Sequence, residues 1–170
     1  IFDLNAYAET DKVHPHGICY DPYWQRIWYT HGDGSDAILY SDDLGDTWSY
    51  AHHVTTYNSG TQVVGIKAMP TCLLFGSDDV PNGILRIDRA EGKHTADGKY
   101  KVQVAYKINN ETVNRTHLCH AITQAKHYPN APVLFGFGSE SNPAPSIIIA
   151  TYDGWTFSRL WEDSISQPKG

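Results

Sequence analysis

Apolar residues along this chain fall in short runs, each cut off by Gly, Pro, Asn, Asp or Ser, and no run keeps a helical 3.6-residue period. The runs group in fours. The first group is His16-Gly17-Ile18-Cys19-Tyr20, then Arg26 to Asp33, Ala37 to Ser41 and Thr47 to Tyr50. The second is Val64 to Ala68, Leu73 to Asp78, Gly83 to Ile87 and Tyr100 to Tyr106. The third is His120 to Gln124, Leu134 to Glu140, Ser146 to Ala150 and Phe157 to Trp161. Ile18, Ile66 and Ile122 hold the same place in each group, 48 and then 56 residues apart, and a polar insertion from Arg89 to Lys99 accounts for part of the longer interval. Four short strands per repeat of this length predict the blades of a β-propeller, with a β-sandwich as the competing arrangement.

Between the third and fourth runs of the first group lies Ser41-Asp42-Asp43-Leu44-Gly45-Asp46-Thr47-Trp48. Asp suits a tight turn because it accepts from amides just ahead of it, and Gly takes a positive φ without a Cβ clash. The spacing Ser-x-Asp-x-Gly-x-Thr-Trp resembles the Asp-box, or BNR repeat, of sialidase-like β-propellers. That resemblance implies a structural, non-catalytic role for Ser41, Asp43, Gly45, Thr47 and Trp48, with Trp48 buried between blades. A shortened copy, Thr151-Tyr152-Asp153-Gly154-Trp155-Thr156, puts Asp153 and Gly154 in the same role, and the second group has lost the box. The expected fold is all-β, a single partial propeller domain over 1–170: blades over about 14–57, 61–109 and 117–163, and a possible closing strand over 1–10.

Propellers of this family usually have six blades, so three make half a ring. The remainder is expected from further blades in the same polypeptide or from a homo-oligomeric partner, and the 170 residues are not expected to be a stable monomer. A chain that opens Ile1-Phe2-Asp3-Leu4, without Met, reads as processed or cut from something longer. Around the first box, His-Gly-Ile-x-Tyr-Asp-Pro is also loosely similar to segments of phage tail and other virion structural proteins, which implies an extracellular or virion location.

Charge and composition narrow the partners. A net charge of -6 and a pI near 5.8 argue against nucleic acid or an anionic membrane as partner. No apolar run approaches the length of a membrane-spanning helix. Cys19, Cys72 and Cys119 show no Cys-x-x-Cys spacing and read as buried free thiols. The 21 aromatic residues (Trp 5, Tyr 11, Phe 5) suit packed sheets or a sugar-binding face.

In an up-and-down blade, the start of strand one, the loop after strand two and the end of strand four share the end away from the box. The resemblance places the ligand face there. His16 and His120 open the first strands, and His31, Asp33, Ser77, Asp78, Ser139 and Glu140 end the second strands, making these eight the ligand-face candidates. Gly-Asp and Ser-Asp at strand ends are also ordinary turn formers.

Sialidase chemistry needs three arginines, a Tyr with a Glu partner and an Asp. Of Arg26, Arg86, Arg89, Arg115 and Arg159, only Arg115 approaches that face, and the Phe/Tyr-Arg-Ile-Pro motif is absent. No catalytic residue is therefore assigned. His16, His120 and Asp33 are metal-ligand types, but they come from separate places with no local spacing among them, so neither a metal nor another cofactor is expected. The functional expectation is a non-catalytic module that recognises a glycan or a surface protein. The alternative is a glycoside hydrolase or lyase with part of its site on missing blades, using carboxylates such as Asp33, Asp78 and Glu140.

Overall fold

The computed structural model describes residues 14–32, 36–54, 62–77, 82–92, 98–108, 118–128, 130–138 and 145–163. Among them are twelve strands and no helix: β1 (His14–Asp21), β2 (Arg26–Gly32), β3 (Asp36–Ser41), β4 (Ser49–Val54), β5 (Val63–Ala68), β6 (Cys72–Ser77), β7 (Gly83–Asp88), β8 (Gln103–Lys107), β9 (Leu118–Thr123), β10 (Val133–Gly138), β11 (Ile147–Thr151) and β12 (Ser158–Glu162). They form three four-stranded antiparallel sheets in chain order, β1–β4, β5–β8 and β9–β12. β1 lies against β5 and β5 against β9, so the first strands are neighbours along an inner edge. The described residues form an all-β arc of blade-like sheets and no closed ring. The expected closing strand over 1–10 lies outside the described residues.

Two irregularities recur in all three sheets. The first strand carries one extra residue opposite the second, at His16, Val64 and His120. The fourth carries one opposite the third, at Ala51, Ala105 and Leu160. Each is a β-bulge, which bends a strand and re-aims a side chain. In the same register Ile18, Ile66 and Ile122 stand opposite Tyr29, Phe75 and Phe135. The sequence repeat is thus a repeat of backbone detail, bulges included.

Strand alternation divides the apolar residues between two seams. Trp28, Ile38 and Tyr40 of the first sheet pack on Leu73, Phe75, Leu85, Ile87 and Tyr100 of the second. Cys72, Leu74 and Ile84, from the other face of the second sheet, pack on Val133, Phe135, Phe137, Ile147 and Ile149 of the third. β6, with a sheet on each face, is apolar from Cys72 to Phe75 and buried throughout; β3 is buried throughout as well, its outer face lying against Tyr29, Trp48 and Tyr50 of its own sheet. Glycine permits the close approach of the inner strands: a Cβ on Gly65 would stand 2.9 Å from Ile122 Cδ1, and one on Gly76 2.1 Å from Cys119 Sγ. Tyr100 precedes β8 rather than opening it, and its N–H donates 2.9 Å to the Ala51 carbonyl across the first seam.

Trp48 differs from expectation. It is half-buried and packs with Tyr29, Leu39 and Tyr50 on the side of the first sheet turned away from the second, its ring 5.9 Å from that of Tyr29. No described sheet covers that side. The three cysteines are free thiols, Cys72 and Cys119 buried and Cys19 half-buried, and burial pushes the Cys19 and Cys72 thiols up.

Candidate functional site

The turn after β3 is tied by its own side chains. Ser41 Oγ accepts from Gly45 N at 2.8 Å and donates to Asp43 Oδ1 at 2.8 Å. Asp43 accepts from Thr47 N at 2.8 Å and from Thr47 Oγ1 at 2.5 Å, and Trp48 Nε1 donates to Gly45 O at 3.1 Å. The left-handed turn is taken by Leu44 (φ 59) and Gly45 (φ 102). Donation from the Thr47 hydroxyl and amide and from Ser41 holds the Asp43 carboxyl down at about 2.

After β11 the shorter turn repeats this chemistry. Thr151 Oγ1 accepts from Gly154 N at 2.8 Å, and Asp153 Oδ1 accepts from Trp155 N and Thr156 N, each at 2.7 Å. Those two amides hold Asp153 at about 2 as well. Gly154 has φ 75, and a Cβ there would lie 2.6 Å from Cys72 Sγ, so only glycine fits. Both carboxylates are spent on amides and hydroxyls of their own turns, which suits a structural role.

At the opposite end the eight candidates divide. Asp33, Asp78, Ser139 and Glu140, with Arg115, lie outside the described residues. His31 and Ser77 are buried. They pair with Pro15 and Val63 beside the bulges, in the register held in the third sheet by Phe137, a core residue. Their side chains therefore enter the packed interior rather than a surface: His31 stacks on Tyr29 with ring centres 6.0 Å apart, and Ser77 Oγ donates to Gln62 O at 3.5 Å.

His16 and His120 are the bulge residues of their strands, and each ring lies over a glycine. A Cβ on Gly32 would fall 2.6 Å from His16 Cε1, and one on Gly138 3.2 Å from His120 Cδ2. His16 Nδ1 is 3.1 Å from the Val63 carbonyl, which only accepts, so Nδ1 carries the proton and donates. Its Nε2 lies 3.2 Å from Nε2 of His14. Sequence reasoning passed over His14, although His14-Pro15-His16 is a His-x-His spacing in plain view.

A cleft of about 680 Å³ to which all three sheets contribute lies at the end that carries the turn after β3. Tyr23 comes from the β1–β2 turn, Lys67 and Met69 from the end of β5, Gln124, Lys126 and Asn130 from the β9–β10 connection, and Tyr152 from the third sheet's turn. Tyr23 is 50% exposed and Tyr152 72%. Tyr23 is held from behind: the Arg89 guanidinium lies 5.1 Å from its ring centre and 4.6 Å from that of Trp24. Arg89 in turn forks onto Asp21, Nη1 to Oδ2 at 2.7 Å and Nη2 to Oδ1 at 2.9 Å, and its Nε donates to Met69 O at 2.8 Å. Arg86, buried in the other seam, donates to Gly154 O at 2.7 Å with its guanidinium 3.5 Å from the centre of the Trp155 ring. Through this contact it fixes the turn that carries Tyr152. The cleft is thus a surface of two phenol rings, two ammonium groups and two side-chain amides, and no Asp or Glu among the described residues lines it.

Compared with known proteins, the chain matches no family model, no curated protein and no solved structure.

Proposed function

We propose that this chain is a non-catalytic recognition module, an arc of a sialidase-like propeller that binds an anionic glycan in the cleft at the box end. The observation that carries this reading is the lining of that cleft. Tyr23, held on Arg89, and exposed Tyr152 offer flat faces for sugar C–H groups, Gln124 and Asn130 offer amide hydrogen bonds, and Lys67 and Lys126 offer ammonium groups for a carboxylate or sulfate. Glycoside hydrolysis by the common mechanism takes a pair of carboxylates about 5–9.5 Å apart, and the cleft lining supplies neither. That favours recognition over the hydrolase alternative.

Further blade-like sheets complete the arc in this reading, from the same polypeptide or a second copy. Leu160 and Trp161 are 58% and 48% exposed in the third sheet, whereas the residues at their register positions in the second, Ala105 and Tyr106, pack into the seam with the third. Calorimetric titration with uronate-containing or sulfated oligosaccharides tests the binding reading. Saturable binding is expected, weakened at least roughly tenfold by Tyr152→Ala and by Lys126→Gln with the melting temperature unchanged. Release of new reducing ends, or wild-type affinity in both variants, would overturn it.

A further inference from the structure

We propose that His14 and His16 form a chelating site for a divalent late transition metal of the zinc or nickel class, at the end of the arc opposite the cleft. The two Nε2 atoms are 3.2 Å apart. Two imidazole nitrogens bound tetrahedrally to one zinc at about 2.0–2.1 Å stand about 3.3–3.4 Å from each other, so the pair has the spacing that one ion needs.

The tautomer is also right. His16 donates Nδ1–H to the Val63 carbonyl across the first seam, which leaves Nε2, the nitrogen that faces His14, as its lone-pair nitrogen. A histidine ligand held by a backbone carbonyl through its other nitrogen is the usual outer-shell arrangement around bound metals. The bulge sets the aim. The extra residue at His16 turns its ring over Gly32, the partner of His14 in the ladder, and the absent Cβ there makes the room. Without metal, the same distance is an imidazole–imidazole hydrogen bond in which His14 Nε2–H donates to His16. On binding, His14 changes tautomer, its proton passing through solvent from Nε2 to Nδ1 so that Nε2 can ligate as neutral imidazole, and because His14 is exposed, water can fill the remaining coordination positions. Imidazole suits zinc, copper and nickel among the first-row ions.

The third sheet supplies an internal control. His120 occupies the same bulge as His16, but the register position of His14 is held there by Leu118, so the pair is missing.

Calorimetric titration of the intact chain with nickel chloride in a non-coordinating buffer tests this. One ion per chain is expected in the micromolar range, with His14→Gln and His16→Gln each weakening binding at least roughly tenfold and His120→Gln leaving it unchanged. Ring nitrogen shifts of both histidines, followed by NMR, should move together at one equivalent. A melt of each metal-free variant checks the fold; because His14 is exposed, His14→Gln remains decisive if His16→Gln unfolds. The proposal is overturned if the wild type shows no stoichiometric site, or if His14→Gln binds nickel as the wild type does.

Discussion

The Asp21–Arg89 pair is the sharpest test of how the first seam is held. Asp21 is fully buried and the Arg89 side chain 9% exposed, so solvent screens the pair weakly. Asp21 also accepts from Tyr23 N at 3.0 Å, from Trp24 N at 3.4 Å and from Trp28 Nε1 at 3.2 Å. Asp21→Ala removes all of these at once and strands a guanidinium between sheets. Breaking a buried pair from one side costs about 3–5 kcal/mol, against a total stability of about 5–15 kcal/mol for an ordinary domain. For a chain of this size each kcal/mol moves the melting temperature by about 2–4 °C, so a drop of about 6–20 °C is expected.

The diagnostic measurement is the double-mutant cycle. Arg89→Met also destabilises, but Asp21→Ala with Arg89→Met should cost less than the two singles together, by about 2–3 kcal/mol, because neither charge is then left unmatched. Urea and thermal unfolding followed by far-UV circular dichroism, at one fixed protein concentration, reads this directly. The coupling should persist in high salt. Single effects that add within about 0.5 kcal/mol would refute the reasoning, since the seam would then owe its stability to Trp28, Phe75 and Tyr100 packing alone.

Asp43 and Asp153, held at about 2 in the fold, ordinarily titrate near 3.9, so between these values the unfolded chain binds more protons. The stability they confer is present above about pH 4 and is lost as pH falls through about 2; Asp43→Asn should flatten the melting temperature in that window, and an unchanged pH slope would contradict the assignment. Gly76 and Gly136 hold equivalent register positions, but a Cβ on Gly76 would strike Cys119 Sγ at 2.1 Å, while on Gly136 its nearest neighbour is Ala121 Cβ at 3.7 Å. Gly76→Ala should therefore cost about 1–3 kcal/mol or more in a thermal melt and Gly136→Ala little, unless another sheet covers the third, when both should be costly.

Local chemistry was legible in the sequence and parity was not. The alternating runs, the matched isoleucines and the Ser41–Asp43–Gly45–Thr47 turn each depend on a few consecutive residues, and all are present as read. A bulge leaves no mark on a hydrophobic period, yet it decides which way its neighbours face. His31 and Ser77, read as residues of a ligand face, follow Tyr29 and Phe75 by two residues on unbulged strands, so they share those residues' face, in the register of Phe137, and are buried. Arg86 looked like an ordinary third-strand residue. It is buried because Gly154 O and the Trp155 ring, 68 and 69 positions away, receive its guanidinium. The cleft was invisible for the same reason, being assembled from loops of three separate units.

The difference between the turns of the three sheets and the existence of the cleft are connected physically. In the first sheet the box turn closes on itself, Asp43 meeting amides of its own turn. In the second sheet Asp88 accepts from Ala90 N at 3.0 Å and from Arg86 Nη2 at 3.1 Å, and the next side chain, Arg89, crosses to the first sheet. There it neutralises Asp21 and backs the Tyr23 ring. The third sheet keeps a shortened turn, with Gly154 and Trp155 receiving Arg86 from the second sheet while Tyr152 projects into the cleft. The first and third turns are thus both tied by their own side chains, the third also receiving Arg86, while the second sends Arg89 to the first sheet; Arg89 and Arg86 between them hold the cleft's two aromatic walls. A turn whose side chains do not close on it must place them in the neighbouring sheet, and Arg89, buried against Asp21 and Met69 O, is the case in point: the same side chain that bridges two sheets also fixes the Tyr23 ring at the cleft.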